Sequence, residues 1–172
     1  LQITVKESGD FTRRIRGLEE GDRARIRGPY GLFSHLALET GQGNGLAMIA
    51  GGVGVTPFLS MLRTMADVGD ERTVTLVWSN KTEKDILWKD ELDRLAPILP
   101  GLTVHHVLTR QPDWDGPTGR LDFKLLQTLL AGHSPGSHIF LCGPPAMMAS
   151  VKAELFKCGF NKGQIHTEEF RL

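Results

Sequence analysis

Ala50-Gly51-Gly52-Val53-Gly54-Val55-Thr56-Pro57 is the stretch on which the fold turns. It follows the apolar run Leu46–Ala50 and precedes a helical run in which Phe58, Met61, Leu62 and Met65 share one face. The chain therefore passes here from a buried strand into an amphipathic helix. Glycines let backbone N–H groups come close to an anion, Thr56 is placed to cap the helix, and Pro57 fits a first turn where its missing N–H goes unused. The stretch departs from the GxGxxG pattern, because Pro57 stands where the third glycine belongs and no acidic residue follows the second strand at Trp78-Ser79-Asn80. A tight turn with no ligand is the alternative reading.

Outward from this junction, the runs Thr73–Trp78, Leu102–Leu108, His138–Cys142 and Gln164–Phe170 read as further strands. Helical spacing returns between them, in Leu87, Leu92 and Leu95 and again in Met148, Val151 and Leu155, and Gly69, Pro97, Gly132 and Gly159 act as stops. Strands that are apolar throughout and joined by helical crossovers predict an α/β fold, a five-stranded parallel doubly wound sheet covered on both faces. Such sheets take ligands beyond the carboxyl ends of their strands. Leu141-Cys142-Gly143-Pro144-Pro145-Ala146-Met147-Met148 is a second strand-to-helix junction. If the first and fourth strands are neighbours, Gly51–Thr56 and Cys142–Pro145 face each other across one crevice. On its own Cys142 reads as a small buried hydrophobe.

Residues 1–40 read differently. Leu1, Ile3 and Val5 alternate with polar residues, as do Ala24 and Ile26, and Thr12 to Leu18 is a short helix candidate. Two strands and one short helix cannot bury a core, so this segment must pack on the rest or be the remainder of a larger β domain. The division is expected between residues 40 and 41. The chain opens at Leu1 inside a strand-like run, as though cut from something longer.

Composition removes several functions. With 172 residues, 20 basic against 20 acidic, the formal charge is zero, and no basic field exists to hold nucleic acid. Cys142 and Cys158 cannot form a multi-bridge framework. The uncharged stretch between Glu39 and Arg63 is broken by glycines and Pro57 and is not a membrane span. Gly132-His133-Ser134-Pro135-Gly136 spells GxSxG, but it follows a helix and precedes a strand, the reverse of a nucleophile elbow. His105 and His106 point to opposite faces of their strand, so no metal site is expected. Arg13, Arg14, Arg16, Arg23, Arg25 and Arg27, answered by Glu19, Glu20 and Asp22, read first as a solvated face and second as a phosphate or anionic-lipid contact.

Four motifs in series carry a resemblance: GPYG at Gly28–Gly31, GGVGVTP at Gly51–Pro57, CGPPAMM at Cys142–Met148 and EEF at Glu168–Phe170. Together they resemble the ferredoxin–NADP reductase superfamily. Within it, GDFTRRI, SNKTEKDILWKDEL and DGPTGRL are most similar to the flavin-reductase portion of bacterial ferric-reductase-like membrane proteins, relatives of the NADPH oxidases. The resemblance implies NAD(P)H and FAD as cofactors and hydride transfer from one to the other, with electrons passed on to a haem or ferric-type acceptor. A haem-bearing membrane domain in a longer parent would be the partner, with this module on the cytoplasmic side. Competing readings are a soluble reductase component serving an iron–sulfur protein or oxygenase, and a nucleotide-binding fragment without turnover.

By the same resemblance, Gly51, Gly52, Gly54, Thr56 and Pro57 hold the pyrophosphate and nicotinamide side of NAD(P)H. Cys142, Gly143 and Pro144 lie against the nicotinamide, Glu168 supports hydride transfer and Phe170 covers the flavin ring; Met147, most simply a core residue, is counted with the cofactor-binding residues. Cys142, Glu168 and Thr56 are thus the catalytic candidates. Gly9, Asp10, Phe11 and Thr12 match the turn that receives the FAD pyrophosphate. Ser79, Asn80, Lys81 and Arg110 are available to a 2′-phosphate, which leaves NADH against NADPH open. The family's Arg-x-Tyr-Ser/Thr flavin motif does not occur in the sequence. Residues 1–40 accordingly look like the carboxyl-terminal remnant of an antiparallel flavin-binding β-barrel, followed by an NAD(P)-binding domain at 41–172.

Overall fold

The computed structural model describes residues 2–7, 9–28, 30–38, 45–133 and 136–170. The chain divides into two compact units, Leu1–Leu32 and Phe33–Leu172. The second unit is the α/β sheet. Its strands are β1 (Leu46–Gly51), β2 (Val74–Asn80), β3 (Leu102–Leu108), β4 (His138–Cys142) and β5 (Ile165–Glu168). They lie in the order β3-β2-β1-β4-β5, every pair parallel. Chain order reverses beside β1, which makes β1 and β4 the switch point of a doubly wound sheet. β5 is shorter than the run Gln164–Phe170 suggests, because its register with β4 ends at Cys142↔Glu168 and later residues have no ladder partner.

Alternation along each strand feeds two cores. Leu46, Met48 and Ala50 of β1, with Leu76, Trp78 and Phe140, pack with Phe58 and Leu62 of α2 (Thr56–Asp67) and with Leu92 and Leu95 of α3 (Lys89–Leu95). Ala47 and Ile49, with Val77, Ile139 and Leu141, pack with Leu126 of α4 (Phe123–Leu129) and with Val151 and Leu155 of α5 (Pro145–Lys157). Burying one such Leu or Phe fully contributes about 1.5–3 kcal/mol, so the two-sided core dominates stability. An ion pair ties α2 to α3, with Arg63 Nη2 donating to Glu91 Oε2 at 2.8 Å.

The first unit holds a helical turn α1 (Asp10–Arg14) and a 3-10 turn, Ile15–Gly17. The β reading of residues 1–40 fails here: no described residue of this segment is in a strand. Alternation alone does not make a strand, because each rung needs a neighbour to accept its backbone hydrogen bonds. The division also falls earlier than expected. The Phe33 ring lies 5.9 Å from Phe58 and 5.3 Å from Phe140, and Leu38 packs on the same core, so these residues belong to the sheet unit. The expected boundary at 40/41, and Ser134 and Pro135 of the GxSxG match, lie outside the described residues. No helix among the described residues is long and apolar enough to cross a membrane.

Candidate functional site

β1 and β4 run side by side to the same end, with Ala50 opposite Cys142. Past Gly51 the 3-10 turn Gly52–Val55 leads into α2, and past Cys142 the pair Gly143-Pro144 leads into α5. Three glycines let these loops touch backbone to backbone. A Cβ on Gly54 would sit 2.6 Å from the Cys142 carbonyl carbon and 2.9 Å from the Gly143 nitrogen, and one on Gly143 would sit 3.0 Å from the Gly51 nitrogen. On Gly51 it would meet Pro144 Cδ at 2.7 Å and press on Met147. Gly52 differs: its φ is +53°, and nothing lies within 4 Å of its Cβ position. There the glycine serves a left-handed backbone that faces open space.

Two helix amino termini therefore converge at the switch point, and neither first turn carries an acidic residue. Their aligned peptide dipoles make this end of the sheet electropositive. Thr56 does not cap α2 as its type suggests. The preceding 3-10 turn runs straight into the helix, Thr56 is already helical at φ −58° and ψ −43°, and its hydroxyl donates back to the Val53 carbonyl at 3.1 Å. Val55 occupies the cap position without a side-chain bond.

Cys142 is fully buried among Ala50, Val55 and Phe58. Burial, followed by the nearby Glu168 carboxylate, pushes its thiol up to about 12. It is a protonated wall at neutral pH rather than a nucleophile. Glu168 stands opposite it in the β4–β5 register, half-buried, and Phe170 follows two residues on with 42% of its surface exposed.

At the far side of the crevice, Ser79, Asn80, Lys81 and Arg110 come together. Arg110 N–H donates to the Lys81 carbonyl at 2.8 Å and Thr109 N–H to the Asn80 carbonyl at 2.9 Å, leaving the Lys81 and Arg110 side chains exposed at adjoining strand ends. Asn80 itself is 5% exposed, and neither atom of its amide has a partner. In the first unit, Gly9 precedes α1, and the Thr12 hydroxyl both accepts from the Gly9 N–H and donates to the Gly9 carbonyl at 3.0 Å. Asp10 occupies the first turn.

Sequence reasoning passed over Trp78, whose indole N–H donates to the Gly52 carbonyl at 2.9 Å. The signal was present, since a tryptophan in a fully buried strand needs an acceptor for its one polar atom. No cluster of three or more metal-ligating side chains occurs among the described residues.

Residues 48–153 match the family described as "Oxidoreductase NAD-binding domain". The chain belongs to that family. It is 34% identical over 167 residues to NADH-cytochrome b5 reductase 1 of Candida albicans, covering 95% of this chain and 56% of that protein. Two solved structures are similar. One is a flavohemoglobin from Malassezia yamatoensis with bound FAD and heme, at TM-score 0.86 and 30% identity, covering 98% of this chain and 43% of that one. The other is the cytochrome b5 reductase domain of Ulva prolifera nitrate reductase, at TM-score 0.82 and 31% identity, covering 93% and 66%. This oxidoreductase domain thus lies within the ferredoxin–NADP reductase superfamily. It spans about half the length of the curated relatives it matches.

Proposed function

We propose that the chain is the nucleotide-binding half of an NAD(P)H-dependent flavoprotein reductase that delivers electrons to a haem or ferric-type acceptor. The carrying observation is the crevice between β1 and β4, where Gly54 and Gly143 pack the two loops backbone to backbone at two converging helix amino termini and Gly52 faces open space. Gly51, Gly52 and Gly54 would receive the dinucleotide's pyrophosphate there. Gly143, Pro144 and Met147 border the crevice, Cys142 forms an apolar wall beneath it, and Glu168 sets a carboxylate beside that wall. Ser79, Lys81 and Arg110 stand at the adenosine end, where the two cations suit a 2′-phosphate.

FAD, when bound, supplies the exchange between hydride and single electrons. The described residues of the first unit fit only its pyrophosphate end, at Gly9–Thr12, and even there Asp10 opposes an anion. Phe170 would cover the flavin ring, as the family resemblance implies. The names of the similar proteins, a cytochrome b5 reductase and a flavohemoglobin, support a haem acceptor. The motifs shared with ferric-reductase-like proteins favour a haem-bearing membrane domain in a longer parent, with this module on the cytoplasmic side.

Calorimetric titration with NADPH and then NADH, before and after adding FAD, tests the reading. Binding of either nucleotide supports it, and absence of both with FAD present ends it. Lys81→Ala together with Arg110→Ala is expected to weaken NADPH more than NADH; equal losses would show that neither cation reads the phosphate.

A further inference from the structure

We infer that Trp78 is a positioning residue for nucleotide binding: its indole N–H, donated to the Gly52 carbonyl at 2.9 Å, sets the orientation of the phosphate-facing loop. The inference rests on the proposed crevice and concerns a side chain that touches no ligand itself. Trp78 is 1% exposed and sits on β2, the strand beside β1, so its indole is fixed by the sheet and by contact with the His106 ring at 5.7 Å. Gly52 is the opposite case. Its Cβ position is open and its φ is +53°, so no side-chain packing holds it in place.

A peptide unit is planar and trans, and its C=O and N–H point to opposite sides. Drawing the Gly52 carbonyl inward onto Trp78 therefore turns the Val53 N–H outward, toward the open space in front of the loop. The next carbonyl, that of Val53, is also engaged, by the Thr56 hydroxyl at 3.1 Å and by the Thr56 backbone N–H. Two successive anchors thus fix a turn that would otherwise sample several orientations. Without the indole N–H, the loop must be ordered when the anion arrives, and affinity falls by the fraction of time the turn spends correctly oriented.

Trp78→Phe keeps an aromatic ring on β2 and removes only the donor side. NAD⁺ and ADP-ribose are titrated against the chain, Trp78→Phe, Gly52→Ala and the double variant. Trp78→Phe is expected to weaken both ligands by the same factor, about three- to tenfold, the size of one lost hydrogen bond. The two substitutions are expected to be non-additive, because both act on the same peptide unit. A loss confined to NAD⁺, additive effects, or unchanged affinity would overturn the inference. Failure of the unsubstituted chain to bind either ligand would instead overturn the crevice, and this inference with it. Should Trp78→Phe not fold, indole N–H exchange in the unsubstituted chain decides. The Trp78 signal is expected to be protected and to shift when ADP-ribose is added, and rapid exchange or an unmoved signal refutes the anchor.

Discussion

The two ends of the sheet are built from similar parts and differ in what they leave open. At the carboxyl end, Gly54 and Gly143 bring backbone onto backbone, Gly51 packs under Pro144 and Met147, and Gly52 opens outward. At the amino end, Gly45 precedes β1, and a Cβ there would meet His133 Nδ1 at 2.9 Å and Ser137 Oγ at 3.3 Å. His133 Nε2 lies 2.9 Å from Thr75 Oγ1, and the Gln164 amide donates to the Ser137 carbonyl at 2.8 Å. The glycines at one end join two loops and leave Gly52 facing open space. The glycine at the other lets side chains close over the strand ends. Glycine content alone does not mark a site; what separates the two ends is that one of them holds a glycine, Gly52, facing open space.

Gly54→Ala tests the first half of that contrast most severely. Its methyl would strike the Cys142–Gly143 backbone, which cannot rotate away, so a loss of about 3 kcal/mol in unfolding free energy is expected, at the upper end of overpacking costs. Nucleotide binding should vanish with it, and denaturant unfolding and titration read both. Gly45→Ala meets only side chains that can yield. An effect of about 1–1.5 kcal/mol with nucleotide affinity unchanged is expected, and a loss of affinity would collapse the distinction between the two ends.

The amino end should also reveal itself through pH. Burial is the first cause holding the His133 imidazole below its ordinary value, and the same holds for His35 and His106. Below about pH 6.5 the unfolded chain takes up protons that these folded rings resist, so stability present above that pH is lost as pH falls. Carboxylates held low by arginine, Asp70 by Arg72 and Glu91 by Arg63, contribute stability that is lost only at more acidic pH. Unfolding midpoints should therefore fall between pH 7 and 5, and His133→Gln should flatten that slope. An unchanged slope would remove His133 from the linkage.

Cys142→Ala probes the crevice wall with the smallest expected effect. Deleting one buried sulfur should cost about 1 kcal/mol with the fold intact. In a chain extended upstream it should slow flavin reduction, and an unchanged rate would leave the thiol as packing alone.

The crevice was legible because its instructions are local. A buried strand, glycines and a proline at each junction specify both loops, and strand order brings them together. Other features depended on partners that no local pattern names. Thr56 looks like a cap until the 3-10 turn before it is seen to continue into the helix. The alternation at Ile3–Val5 and Ala24–Ile26 looks like strand until its lack of a ladder is apparent. His133, in the connection before β4, meets Thr75 of β2, and the bond from Trp78 of β2 reaches Gly52 just past β1. Polar groups that satisfy one another across strands leave no periodic trace in sequence.

The strand order also has a consequence for synthesis. One lip of the crevice is made early, at the end of β1, and the other only when β4 slots in beside it, after β2 and β3. A ribosome-bound chain that stops short of Cys142 exposes β1 along one edge and presents half a cradle. Dinucleotide can lend its binding energy only to the finished sheet, so a cell's nucleotide pool would protect completed molecules from proteolysis and leave interrupted ones to be cleared.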